Sequence, residues 1–221
     1  MTGAIGLLGG TFDPVHFAHL RLAAEALDRL PLASVRWIPS GQPGHRSEPL
    51  ASVEHRLAML KLALADEPRF TLDQSDARSP APTFTINTLA RLRAELGAGV
   101  PLVLIIGADQ LLALDTWRDW KRLFELAHFA VAGRPRFEFQ PDSLSGELAL
   151  EYARRAAAPA ELATEPAGRI AAFDMTPLDI SGNAIRADIA AGRSPRYLLP
   201  DAVLDYIGSH RLYCTQEIGQ H

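Results

Sequence analysis

Four times along this chain a short apolar run is followed by an amphipathic segment, and no other feature restricts its fold as tightly. The pairs are Ala4 to Leu8 with Phe17 to Leu30, Val35 to Pro39 with Val53 to Leu64, Phe70 to Leu72 with Ile86 to Leu96, and Leu102 to Ile106 with Leu111 to Leu126. The runs suit buried strands, and the segments between them carry apolar residues at helical spacing. Such alternation joins parallel strands through helical crossovers. His128 to Ala132 and Ile170 to Phe173 continue the strand series. The expectation is an α/β fold, a Rossmann-like doubly wound parallel sheet that binds ligands beyond the carboxyl ends of its strands. A length of 221 residues predicts a single domain, with a small C-terminal helical part from about Thr176 that closes on a helix over Pro200 to Ser209. The Pro-, Ala- and Glu-rich stretch from Pro135 to Pro166 reads as an outer segment with a helix from Ser143 to Ala158.

The first such loop carries the most chemistry. It reads Gly9-Gly-Thr-Phe-Asp-Pro-Val-His-Phe-Ala-His19. Two glycines allow a tight turn and a close approach of backbone to ligand. Asp13-Pro14 looks like a helix start, because Asp accepts orphan N–H bonds and Pro fits the first helical position. A helix N-terminus above the sheet edge is an anion site. His16 and His19, three residues apart on one helical turn, face the same anion. Helical zinc pairs are usually spaced by four, and no cysteine or third ligand lies nearby, so no metal site is expected here.

The remaining strand-end loops add candidates. Pro39 to Ser47 contains His45 and Arg46, and a guanidinium there suits a phosphate. Thr83 and Thr85 flank the start of the next helix, either as caps or as ligand contacts. Gly107 permits close approach, and Asp109 suits ribose hydroxyls or an N-cap. Of Trp117 and Trp120, one turn apart, Trp117 is nearer the strand end and is the candidate to stack on a flat ring. Arg134 follows the fifth strand. Ile180-Ser-Gly-Asn-Ala-Ile-Arg186 predicts a second helix start, capped by Ser181 and ending at Gly192, with Arg186 one turn in.

Composition narrows the partners. A net charge of −4 argues against a nucleic-acid or membrane surface, so an anionic substrate must meet a local cluster. No apolar run reaches transmembrane length, the N-terminus reads as a strand and the single Cys214 fits a reducing compartment, so a cytoplasmic location is expected. Two helix starts, two histidines and up to three arginines point to phosphates, without a Ser/His/Asp set, a catalytic Cys or a carboxylate pair. In-line transfer between phosphates needs only alignment and charge stabilisation, because the attacking monoester is already an anion. Mg²⁺ would travel with the triphosphate, keeping phosphate and water ligands.

The string GGTFDPVHFAH resembles the GG(T/S)FDPxHxGH signature of the nucleotidyltransferase superfamily, and ISGNAIR resembles its ISxTxIR signature. Together with PGHR, TFTINTL, IIGADQL, TW and GRP in collinear order, the chain is similar to the bacterial nicotinate-mononucleotide adenylyltransferase family. The resemblance implies a nucleotidyltransferase-type sheet and adenylyl transfer from ATP to nicotinate mononucleotide, giving deamido-NAD and pyrophosphate in NAD biosynthesis. It also implies small-molecule partners rather than nucleic acid or membrane. By similarity, His16, His19, Ser181 and Arg186 hold the ATP phosphates over Gly9, Gly10, Thr11 and Phe12, with Ile180 and Asn183 beside them. Ile106, Gly107 and Asp109 line the adenosine. His45, Arg46, Thr85, Trp117 and Arg134 hold the pyridine nucleotide, its ring on Trp117 and its carboxylate on backbone N–H groups. Three positions depart from the family pattern: Ala18 replaces a glycine, Asn183 a threonine and Gly44 a proline. The alternatives are another phosphate acceptor, such as nicotinamide mononucleotide or phosphopantetheine, a non-catalytic nucleotide-binding regulator, and a nicotinamide dehydrogenase, which the missing GxGxxG turn disfavours.

Overall fold

The computed structural model describes residues 3–41, 50–133, 144 and 146–214. Six strands form one sheet: β1 (Ala4–Gly10), β2 (Leu32–Pro39), β3 (Phe70–Leu72), β4 (Leu102–Gly107), β5 (His128–Gly133) and β6 (Ile170–Asp174). Their order is β3-β2-β1-β4-β5-β6, and every pairing is parallel. The chain therefore reverses direction of growth between β1 and β4, where such sheets open a ligand crevice.

Alternate side chains of each strand feed two cores. In β4, Val103 and Ile105 join a cluster with Ala23, Ala26 and Leu27 of α1 (Phe17–Arg29), Met59 and Leu60 of α2 (Val53–Leu64), Ile185 of α7 (Gly182–Ala190) and Val203 of α8 (Asp201–Ser209). Leu102, Leu104 and Ile106 point the other way, onto Ile86, Leu89 and Leu92 of α3 (Thr85–Leu96) and Leu123 and Phe124 of α5 (Trp120–Leu126). That two-residue period, apolar on both faces, is what a strand covered on both sides requires.

Most elements fall where periodicity places them, and the differences have local causes. Gly9 and Gly10 continue β1, pairing with Ile38 and Pro39, instead of forming the turn. The turn is made at Phe12, which adopts φ 51. A left-handed residue costs about 1–2 kcal/mol, but the Phe12 ring is 2% exposed, against Trp37 at 5.2 Å, and burying such a ring returns about 3 kcal/mol. The expected helix Leu111 to Leu126 is broken into α4 (Ala108–Leu112), a 3₁₀ turn (Leu114–Thr116) and α5. Trp117 is extended, with φ −78 and ψ 144, and Asp119 is left-handed, a conformation Asp tolerates better than most residues. The outer helix α6 is shorter than expected, Gly146–Arg155, and a 3₁₀ turn follows at Pro159–Ala163. No helix among the described residues is long and apolar enough to cross a membrane.

Candidate active site

The loop after β1 is organised by Asp13, in a way its sequence position did not suggest. Asp13 was expected to cap α1, yet that helix begins at Phe17, behind an extended His16. The Asp13 carboxylate, 6% exposed, instead accepts from Leu50 N–H (2.9 Å), Ala51 N–H (3.2 Å) and Tyr213 Oη–H (2.7 Å). It ties the approach to α2 and the C-terminal tail to the first turn. Burial and the Asp13 bond both raise the Tyr213 hydroxyl above its ordinary pKa, so it stays a donor. Buried Arg56 supports the same turn by donating to the Thr11 carbonyl at 2.7 Å.

The second helix start meets this turn directly. Arg186 Nη1 donates to the Asp13 carbonyl at 2.5 Å and lies 3.7 Å from its Oδ2, while Arg186 Nη2 donates to Asn183 Oδ1 at 2.5 Å. Asn183, where the family pattern has threonine, thus aims the guanidinium. Two of its five N–H donors are committed, and the rest remain for an anion. A Cβ on Gly182 would sit 3.0 Å from the Asp13 carbonyl, so close packing here suits glycine. Ser181 caps α7 as expected, accepting from Ala184 N–H at 3.2 Å. Ile180 packs at the edge of the first core, and α7 ends at Ala190, ahead of left-handed Gly192.

His16 and His19 stack with ring centroids 3.7 Å apart. The His16 backbone N–H reaches His19 Nδ1 at 3.4 Å, which leaves the His19 proton on Nε2. His16 is 4% exposed, and its Nδ1 has no partner among the described residues. Burial lowers the His16 pKa to about 4, and burial followed by the charge of His16 lowers that of His19 to about 3. Both rings are therefore neutral at pH 7, each presenting an N–H donor. The α1 N-terminus offers fewer free amides than expected: Phe17 N–H donates to the Leu198 carbonyl and His19 N–H to the His16 carbonyl. The imidazoles, more than the helix end, are the donors here.

Beside this junction lies a cavity of about 280 Å³, whose lining includes Gly9, Gly10, Thr11, Ile106, Thr85 and Trp117. A Cβ on Gly9 would meet nothing within 4 Å, so the cavity reaches bare backbone at the end of β1. Trp117 is half-buried at the wall, whereas Trp120 packs edge-on against Phe124 at 6.2 Å. Neither Thr83 nor Thr85 caps α3; the cap position is Phe84, and both hydroxyl residues line the cavity. Asp109 is exposed in the first turn of α4, its carboxylate folded over Gly107, which is itself the cap position. His16, His19, Ser181 and Arg186 are not part of the cavity lining; they adjoin it through the Thr11–Asp13 turn. Phe12 is not among the lining residues either, and its ring belongs to the core. His45, Arg46 and Arg134 lie outside the described residues.

Several partners were not anticipated from sequence. Asp76 and Thr88 line the cavity and are hydrogen-bonded to each other, and Arg91 Nη2 donates to Asp76 at 3.2 Å. Glu25, 1% exposed on α1, accepts from Thr176 N–H at 3.0 Å and from Arg21. Burial opposes its charge, but the Thr176 and Arg21 bonds prevail and hold the carboxyl below its usual range. It fastens the segment leading from β6 to the α7 start. No spacing rule flags such long-range contacts.

A family model described as cytidylyltransferase-like matches residues 7–188. A probable nicotinate-nucleotide adenylyltransferase of Dechloromonas aromatica is 51% identical over 214 residues, covering 96% of this chain and 99% of the relative. One of the same description from Laribacter hongkongensis is 49% identical, covering 96% of each. The chain belongs to the cytidylyltransferase-like family, in its nicotinate-nucleotide adenylyltransferase branch. Its fold is similar to that of a Plasmodium falciparum nicotinic acid mononucleotide adenylyltransferase solved with NaAD, with a TM-score of 0.70 at 17% identity over 95% of this chain and 97% of that one. Relative to the family pattern, this chain keeps both signature histidines, His16 and His19, and differs at Ala18 and at Asn183, whose Oδ1 accepts from Arg186.

Proposed function

We propose that this protein transfers the adenylyl group of ATP to nicotinate mononucleotide, forming deamido-NAD and pyrophosphate. The observation that carries the reading is the junction at Asp13, where the His16/His19 turn and the Arg186 helix start meet beside a cavity walled by Trp117. A phosphate oxygen of the mononucleotide bonds to the α-phosphorus of ATP, and the bond from that phosphorus to the bridging oxygen breaks. Pyrophosphate leaves with the electron pair. No side chain need remove a proton, because the attacking phosphate is anionic.

The protein's part is to hold two repelling phosphates in line and stabilise the charge that grows between them. Neutral His16 and His19 donate N–H bonds, and Arg186 adds its uncommitted donors. Gly9, Gly10 and Thr11 let the phosphates approach the backbone. Ile106, Gly107 and exposed Asp109 border the adenosine, the last through ribose hydroxyls. Thr85 and Trp117 hold the pyridine nucleotide, joined by His45, Arg46 and Arg134. Mg²⁺ is read as part of the substrate, carried on ATP. An ion carried in this way keeps mostly phosphate and water ligands. The reading places the reaction in the cytoplasm.

Pyrophosphate release from ATP and Mg²⁺, with nicotinate or nicotinamide mononucleotide in turn, tests this. Release with the nicotinate form, and less with the amide, is expected. No release with either would leave a nucleotide-binding regulator, and a preference for the amide would replace the assigned acceptor.

A further inference from the structure

One guanidinium in the cavity has no role in the chemistry above. Arg118 lines the wall immediately after Trp117 and is exposed. Its Cζ lies 5.0 Å from the centroid of the Phe84 ring, another lining residue. Contact with an aromatic face orients a planar guanidinium while leaving its N–H edge for a ligand. Among the described residues Arg118 makes no ion pair. The other charged member of the described lining, Asp76, is already occupied by Thr88 and Arg91. Gln110, too, is engaged, its Oε1 accepting from Gly107 N–H at 3.1 Å. The described lining therefore carries one uncompensated charge, and it is positive.

Nicotinate mononucleotide brings two anionic groups, at opposite ends. Its phosphate must lie toward the Gly9–Thr11 turn, next to the α-phosphate held by His16, His19 and Arg186. The ring lies on Trp117, so the group that reaches the next residue is the ring carboxylate. Resting on the function proposed above, we propose that Arg118 is a specificity-determining residue that pairs with the nicotinate carboxylate. A guanidinium has donors only, and a carboxamide turns N–H donors of its own toward it and brings no charge. Backbone N–H groups already favour the acid, and a facing cation enlarges the distinction.

The test uses the full chain, its Arg118→Gln and Arg118→Lys variants, and both mononucleotides. Charge-assisted bonds of this kind are worth about 10- to 100-fold. In Arg118→Gln, kcat/KM for the nicotinate form should fall by that factor, mainly through KM, while the value for the amide form shifts by no more than about twofold. Arg118→Lys should recover part of the loss, and thermal midpoints should be equal. An equal fall with both mononucleotides would overturn the proposal, since it would put Arg118 on the shared phosphate. No change with either would overturn it as well. Calorimetric binding of each mononucleotide to the same variants needs no turnover. A loss of acid binding in Arg118→Gln with amide binding kept would support the proposal even if pyrophosphate release failed, and unchanged acid binding, or an equal loss of both, would overturn it.

Discussion

The two ends of the proposed site, one assigned to the phosphates and one to the pyridine ring, are built on opposite plans. At the phosphate end, Asp13, His16 and Phe12 are buried, and the turn is held by residues from α2, α7 and the tail, up to 200 positions away in sequence. At the ring end, Trp117 and Arg118 sit on a broken helix between α4 and α5, half-buried or exposed, with Phe84 as an aromatic neighbour. The first plan suits chemistry, where small misplacements of donors cost rate. The second suits selection, because side chains on an exposed connection change with little effect on the fold.

On that contrast, substitutions at the phosphate end should damage folding or rate, and those at the ring end only binding. Asp13→Ala strands the buried Ala51 N–H, the Leu50 N–H and the Tyr213 hydroxyl, and should cost about 3–5 kcal/mol of stability. Calorimetry should show a melting midpoint lower by roughly 6–20 °C; an unchanged midpoint would remove Asp13 as the hub. His19→Ala should lower kcat for pyrophosphate release by about 10²- to 10³-fold with the midpoint preserved, and near-normal turnover would take the ring out of the mechanism. The lowered imidazole pKa values predict a stability slope in acid. Below pH 6.5 the unfolded chain takes up protons that folded His16 refuses until about pH 4, so the unfolded state binds more protons and stability falls as pH falls through that window. The His16 share is about 3 kcal/mol, and urea titrations of His16→Gln between pH 4 and 7 should show a shallower slope. The smallest effect belongs to the ring end: Trp117→Ala should raise KM for the mononucleotide about tenfold and leave KM for ATP and the midpoint alone. A stability loss instead would mean that Trp117 belongs to the core.

How far each end was legible follows the same division. His16 and His19 were readable because helical spacing puts residues three apart on one face, and their rings do stack. Ser181 was readable as a cap, since capping is decided within four residues. Asp13 was misread by the same local rule: it has the cap's residue type, but its acceptors are claimed by Leu50, Ala51 and Tyr213. The glycines were read as the turn because glycine permits one, whereas the pairing of Gly9 and Gly10 with β2 extends the strand and moves the turn to Phe12. The break at Trp117 was hidden because Leu111 to Leu126 has an acceptable helical pattern, and the extended backbone at Trp117 interrupts it.

Alternating apolar runs by themselves determined a parallel α/β sheet, and the two short motifs by themselves pointed to phosphate as the ligand to propose. Both are local signals, written in periods of two to four residues. Tertiary structure alone decided that Asp13 joins the two motifs, that Asn183 aims Arg186, and that Arg118 shares a cavity wall with an Asp76 already paired to Arg91. Those contacts depend on which distant segments the sheet order β3-β2-β1-β4-β5-β6 brings side by side, and no local pattern encodes the partner of a buried polar group.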